Sequence, residues 1–206
     1  MSSSPARLFV IAAPSGAGKT TLVKSLLERN SGLRFSVSYT TREQRKTEIE
    51  GRDYFFVNEE RFLQLKVEKE LLESAQVFGN YYGTGRAQVQ EHLAMGDHVI
   101  LEIDWQGARQ VRESMPDCVS IFILPPARPE LERRLRDRGT DNDEVIAHRL
   151  QEARGDMSHW DEFDFVIIND DMEIAVGELE AIFHGEGAAN RSSDPQLQQK
   201  LEKILA

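Results

Sequence analysis

Residues 8–27 read LFVIAAPSGAGKTTLVKSLL. Leu8 to Ala12 is an apolar run of strand length, and Pro14, Gly16 and Gly18 then break it. From Lys19 onward the apolar residues Leu22, Val23, Leu26 and Leu27 recur at helical spacing. A strand, a glycine-containing turn and Gly18-Lys19-Thr20 at a helix start compose a phosphate-cradling P-loop. Successive backbone N–H groups point into one concavity there, the helix dipole adds positive potential, and small side chains let phosphate approach the backbone. Ala13, Pro14, Ser15, Gly16, Ala17 and Gly18 form the loop, followed by Lys19, Thr20 and Thr21. Ala13 stands where the motif has its first glycine and is the smallest replacement for it. Lys19 supplies a mobile charge for the β- and γ-phosphates, and the Thr20 hydroxyl is placed for Mg²⁺.

A chain of 206 residues suits one domain, or one domain carrying inserted lobes. With 40% hydrophobic residues it can bury an ample core without disulfides. Cys118 is the only cysteine and leads into the apolar run Val119–Leu124, so it reads as a small buried residue in a reducing cytosol. The N-terminal MSSSPAR has no apolar leader segment, and no stretch approaches about 18 apolar residues. Neither secretion nor a membrane partner is expected, and the expected location is cytoplasmic. A net charge of −10 argues against a general nucleic-acid binder, which needs a broad basic surface, but leaves room for local arginine clusters that hold small anions. The histidines show no metal-ligand spacing. Nothing in the sequence fixes an oligomeric state.

Beyond the first helix, Leu33–Arg45 (LRFSVSYTTREQR) alternates at Phe35 and Val37 and predicts one short strand, followed by hydroxyls and the pair Arg42 and Arg45. Gly51–Val57 (GRDYFFV) predicts a turn and an aromatic strand. Asn58 is the expected N-cap of a helix over Glu59–Lys66. Leu71–Phe78 predicts a strand carrying Glu73, and Gly79–Gly85 (GNYYGTG) a glycine- and tyrosine-rich turn before a helix over Ala87–Met95. Arg34 to Arg86 thus reads as a β-rich lobe inserted into an alternating α/β pattern. That pattern resumes with the strand His98–Ile103, which ends at Asp104, the helix Gln106–Met115 and the strand Val119–Leu124. Helices over Glu130–Arg136 and Glu144–Met157, joined by the polar loop Arg138–Asp143, form a candidate mobile lid. Phe165–Ile168 is a further strand. Asp170 or Asp171 caps a helix running to Phe183, Gly185–Asp194 reads as a flexible hinge, and Gln196–Leu205 as a terminal helix. Near-continuous apolar strands alternating with helices predict a three-layer α/β fold, a parallel central sheet covered on both faces, with ligands beyond the strands' carboxyl ends.

Glu102 and Asp104 are two apart on a strand and share a face. In a chain with a P-loop, the acid ending such a strand is the expected water-mediated anchor of Mg²⁺; Asp104 can equally cap the next helix, and the roles can coexist. No Asn-Lys-x-Asp base-reading motif of a GTPase is present. Instead there are two arginine groups: Arg134, Arg138 and Arg149 in the candidate lid, Arg42 and Arg45 in the inserted lobe. Arginine forms bidentate bonds to phosphate oxygens and neutralises the charge that spreads during phosphoryl transfer. Two groups suit two phosphate-bearing ligands, which implies a small kinase whose acceptor is itself a phosphate.

APSGAGK, SVSYTTR, GRDYFFV, FGNYYGTGR, LEIDWQGA, FILPP, RLRDRGTD and VIINDD, in this order and spacing, resemble the guanylate kinases over Leu8 to Phe183. The resemblance implies a P-loop NTPase fold and phosphoryl transfer from ATP to GMP, and by extension dGMP, with Mg²⁺, in purine nucleotide metabolism. It implies a core (5–33, 87–127 and 160–184), a GMP-binding lobe (34–86), a lid (128–159) and a tail (185–206). Arg42, Arg45, Tyr54 and Tyr82 match the positions that hold the GMP phosphate. Ser38, Glu73 and Thr84 match those that read guanine, and Glu102, with Asp104 near it, matches a GMP-side position that is more often Asp. Arg138 and Arg149, with Arg134 beside them, match lid arginines at the transferring phosphoryl, where Lys19 and Arg42 also act. Asn169 matches a position near the ATP adenine. Two other readings compete: a phosphopeptide-binding module of the guanylate-kinase-like type, whose phosphate loops are degraded, and a kinase for a sugar phosphate. Intact Gly18-Lys19-Thr20 argues against the first, and the guanine-reading set Ser38, Glu73 and Thr84 against the second.

Overall fold

A computed structural model of the chain describes residues 5–77, 79–137 and 143–205. A five-stranded sheet has the order β2-β7-β1-β8-β9, where β1 is Leu8–Ala12, β2 Leu33–Phe35, β7 His98–Glu102, β8 Val119–Leu124 and β9 Phe165–Ile168. A four-stranded sheet has the order β4-β3-β6-β5, from Phe55–Phe56 (β4), Ser38–Thr40 (β3), Asn80–Gly85 (β6) and Leu71–Val77 (β5). The chain forms two compact units, one of Met1–Val10 and Ser31–Val119, the other of Ile11–Asn30 and Ser120–Ala206.

In the first unit β2 and β7 run parallel, with Leu33 opposite His98 and Phe35 opposite Ile100. The single strand expected over Leu33–Arg45 is two strands in two sheets. The break falls at Ser36 and Val37, where the Ser36 hydroxyl and the Val37 amide both donate to Gln88 Oε1 at 3.0 Å. The side-chain acceptor replaces a ladder partner, and the chain leaves one sheet for the other. A second correction concerns Gly79–Gly85. Most of this expected turn is β6, antiparallel to both β3 and β5. Gly83 is there for space rather than for a turn: a Cβ on it would lie 3.0 Å from Glu73 O, Leu71 Cδ1 and Phe62 Cζ. Behind this sheet Phe62 and Leu65, from the helix Glu59–Val67 (α2), pack with Leu71, and Tyr81 stacks on Phe62 at 5.4 Å. Asn58 caps α2 as expected, accepting from the Arg61 amide at 2.8 Å. Helices Arg86–Ala94 (α3) and Trp105–Ser114 (α4) complete the unit.

In the second unit β8 and β9 are parallel, with Phe122 opposite Val166. Ile121, Phe122, Ile123 and Leu124 are all fully buried, as a parallel strand covered on both faces must be. The helices are Lys19–Arg29 (α1), Arg128–Asp137 (α5), Asp143–Met157 (α6), Met172–Phe183 (α7) and Pro195–Leu205 (α8). Asp171 caps α7, accepting from the amides of Glu173 and Ile174. The segment expected to be a flexible hinge is docked instead. Asn190 is buried and donates to Val166 O, Arg191 bridges Phe165 and lies over its ring, and the Ser192 amide donates to Asp164 O. The free edge of β9 supplies those backbone partners. The tail continues into α8, which buries Leu197 and Leu201 and whose Leu205 carbonyl accepts from Arg128. Among the described residues no helix is long and apolar enough to cross a membrane.

Candidate active site

The second unit carries the phosphate loop. β1 ends at Ala12 and α1 starts at Lys19, so Ala13 to Gly18 is the turn the motif requires. Gly16 and Gly18 both have φ of 92°, in the left-handed region that side chains avoid. Gly18 is doubly constrained: it is the N-cap of α1, and a Cβ on it would run into the amide of Asn169. The loop is braced through one carbonyl. Asn169 Nδ2 donates to Ala17 O at 2.7 Å, Arg134 donates to the same oxygen at 3.4 Å, and Arg134 also donates to Asn169 O at 2.9 Å. Ala17 is fully buried, and its amide donates back to Pro14 O at 3.2 Å. The first turn of α1 contains no acidic residue, so nothing there offsets the positive end of the helix. Lys19, Thr20 and Thr21 stand in that turn, with both threonines exposed. Arg134 is itself held by Glu130, whose Oε1 accepts from Arg134 Nε at 2.7 Å. Hydrogen bonds from Arg133 and then Arg134 bring the Glu130 carboxyl down to a pKa of about 2. Arg149 lies half-buried on α6. Arg138 lies outside the described residues.

The first unit carries a second site. Strand register places Ser38 opposite Thr84 and Thr84 opposite Glu73, so the three residues make a row across β3, β6 and β5. Thr84 and Glu73 are 1% and 4% exposed, and the Thr84 hydroxyl donates to Glu73 Oε1 at 2.7 Å. The start of α4 closes on this carboxylate. A Cβ on Gly107 would sit 2.7 Å from Glu73 Oε2. Asp104 caps α4, its Oδ1 accepting from the Gly107 amide at 2.7 Å. Gln110 clamps the neighbouring residue of β5: its Oε1 accepts from the Ser74 amide and its Nε2 donates to Ser74 O, both at 3.0 Å.

Tyr82, two residues before Thr84 on β6, points to the same face about 7 Å along the strand. There the row meets cations. Arg42 donates to Glu48 Oε1 at 2.7 Å and to Glu43 O at 2.7 Å, and its guanidinium lies 5.5 Å from the Tyr54 ring centre and 5.9 Å from that of Phe56. Tyr54 and Tyr82 meet edge-on at 5.9 Å. Arg45 is well exposed, and its amide donates to Glu48 Oε2 at 2.8 Å. Hydrogen bonding from Arg42 holds the Glu48 carboxyl below its ordinary pKa, against the opposing effect of its own desolvation. Burial pushes the Tyr54 hydroxyl up, and the nearby Tyr82 and Glu102 push it further. Arginines at one end and a buried carboxylate beside two hydroxyl-bearing side chains at the other suit a phosphate and the donor edge of a purine.

The sequence profile of a family described as guanylate kinase matches residues 5–186. The chain belongs to the guanylate kinase family. It is 49% identical to a guanylate kinase of Alkalilimnicola ehrlichii, with 98% of this chain and 99% of the relative covered. It is 54% identical to one from Aromatoleum aromaticum, covering 86% of this chain and 87% of the relative. The solved structure of a guanylate kinase from Anaplasma phagocytophilum superposes with a TM-score of 0.74 at 36% identity, covering 97% of this chain and 95% of that one.

Four residues that position these sites go unremarked in the sequence reading. Glu48 carries a signal in hindsight, an acid three residues after Arg45 in a basic loop. Gly107 carries another, since a glycine inside a helix marks a close approach. Gln110 and Gln88 carry none, because their partners come from other elements.

Proposed function

We propose that Ala13–Thr21 holds the phosphates of ATP and that Ser38, Arg42, Arg45, Tyr54, Glu73, Tyr82, Thr84 and Glu102 hold GMP. The activity of the family is phosphorylation of GMP by ATP to GDP, and the chain is an enzyme of that class. The observation that carries the acceptor assignment is the row Ser38–Thr84–Glu73, with Thr84 and Glu73 buried. Guanine presents N1–H and N2–H₂ side by side, and one carboxylate accepts from both. Adenine presents a bare N1 lone pair, which repels that carboxylate. A polar match of this kind discriminates by roughly 10⁴ or more. dGMP, which presents the same guanine edge and phosphate, belongs to the proposed acceptors.

Phosphoryl transfer needs positioning and charge stabilisation more than a strong base. Lys19 binds the β- and γ-phosphates. Arg138 and Arg149 meet the transferring group from the segment 128–159, and Arg42 holds the acceptor phosphate. Arg134 and Asn169 keep the loop in its binding shape through Ala17 O, with Asn169 also beside the adenine. The donor set fits Mg²⁺: the Thr20 hydroxyl is a hard oxygen ligand on the first turn of α1. Among the described residues no cluster of three or more His, Cys, Asp or Glu forms a separate metal cage. The Thr20 hydroxyl would hold Mg²⁺ together with the substrate phosphates, and the ion would supply charge neutralisation for phosphoryl transfer. A water-mediated contact from Asp104 is part of the same proposal. The segments 34–86 and 128–159 act as the acceptor lobe and the lid on a core of 5–33, 87–127 and 160–184. We infer a cytoplasmic reaction with the small molecules ATP and GMP as substrates.

The test is ADP release with GMP, dGMP, AMP and UMP offered in turn. Release with GMP and dGMP alone is expected. Glu73→Gln should raise KM for GMP steeply and leave KM for ATP unchanged. An equal rise for both substrates overturns the role given to Glu73.

A further inference from the structure

Glu48 is an acid in the middle of a site built for an anion. Its side chain is 14% exposed and lies against Arg42, which is 17% exposed. For binding strength alone a carboxylate there is adverse, since it repels a phosphate dianion at close range. Its contacts explain its presence. Oε1 takes the Arg42 guanidinium at 2.7 Å and Oε2 takes the Arg45 amide at 2.8 Å, so one side chain ties both arginine-bearing positions together. The main chain closes the same loop: the Glu48 amide donates to Arg45 O at 3.1 Å, and Gln44 Nε2 donates to Glu48 O at 2.8 Å. The guanidinium fork has five N–H donors. Glu48 and Glu43 O account for two of them and hold the group beside the Tyr54 and Phe56 rings.

We propose that Glu48 is a positioning residue for the acceptor phosphate, a resident counter-ion that holds Arg42 and the Arg45 backbone in their phosphate-receiving arrangement before substrate arrives. The proposal rests on the reading of Arg42 and Arg45 as GMP-phosphate residues. An arginine ordered in advance loses less conformational freedom on binding, and that gain outweighs the repulsion from the one carboxylate.

The test is calorimetric binding of GMP and of guanosine to the full chain, with steady-state kinetics alongside. Glu48→Ala should weaken GMP binding and raise its KM by about tenfold, the scale of one lost charge-assisted contact. Guanosine binding and KM for ATP should stay within about twofold, because only the phosphate end is disturbed. Glu48→Gln keeps one acceptor for Arg42 and should fall between wild type and Glu48→Ala; it carries the test alone if the alanine variant does not fold. Unchanged or tighter GMP binding in these variants overturns the proposal, as does an equal loss for guanosine, which would mark a merely structural residue. Arg42→Ala separates the two claims. If it leaves GMP binding intact, the phosphate-site reading itself fails. If it weakens GMP while both Glu48 variants do not, only the role of Glu48 fails.

Discussion

Gly107 puts helix propensity and tertiary contact in opposition at a single residue. Alanine in a helix interior is ordinarily favoured over glycine by roughly 0.5–1 kcal/mol. Here the added methyl would sit 2.7 Å from the Glu73 carboxylate and 3.3 Å from Asp104 Oδ1. Gly107→Ala is therefore expected to raise KM for GMP while leaving KM for ATP unchanged, and to lower the thermal midpoint despite the better helix former. A variant that melts higher with unaltered GMP kinetics would show that Glu73 can move aside. From the sequence, Glu73 is one acid inside a predicted strand, and its role is legible only through the family resemblance. Gly107 of α4, which closes on its carboxylate, reaches it through space and not along the chain.

At the scale of elements, α4 holds β5 by the two bonds between Gln110 and Ser74, each worth about 1 kcal/mol. Gln110→Ala should destabilise the protein by about 2 kcal/mol in urea denaturation and raise KM for GMP, with Gln110→Glu recovering at most the bond from the Ser74 amide. The helix α5 gives a pH prediction. Glu130 titrates near 2 in the folded chain because Arg133 and Arg134 donate to it, well below an ordinary glutamate. A carboxyl with a lowered folded pKa stabilises above its unfolded pKa, and the contribution is lost as pH falls through the folded value. The stabilisation from this cluster should thus be flat from pH 7 to about pH 5 and decline between about pH 4.5 and pH 2. Glu130→Gln should remove that part of the acid dependence in thermal melts. Element boundaries on α5, α6 and α7 agree closely with the periodicity, since each is an amphipathic stretch with local start signals. β6 does not, because a strand so rich in glycine is specified by the close approach of Phe62, Leu71 and Glu73 rather than by its own propensity.

Across the whole molecule, the tail beyond Gly185 is structural cladding for the second unit. Leu197 and Leu201 are buried, Asn190 and Ser192 bond to the β9 region, and Leu205 accepts from Arg128. Burying two leucines stabilises by roughly 3–6 kcal/mol, an upper figure for the apolar part of that contribution. A chain ending at Gly185 should melt several degrees lower, with guanosine binding to the first unit preserved. A melting point unchanged by the truncation would show that α8 contributes nothing to stability.

The sequence by itself determined the phosphate loop, the alternating α/β plan and the family, because those rest on local spacing: a glycine turn between an apolar strand and a helix, and motifs read in order. Only the tertiary structure decided that Leu33–Arg45 divides between two sheets, that the tail is docked, and that Glu48, Gly107 and Gln110 shape the proposed acceptor site. Those features depend on contacts between residues far apart in the chain or on a side chain turned back on its own loop, and neither leaves a periodic trace in the order of amino acids.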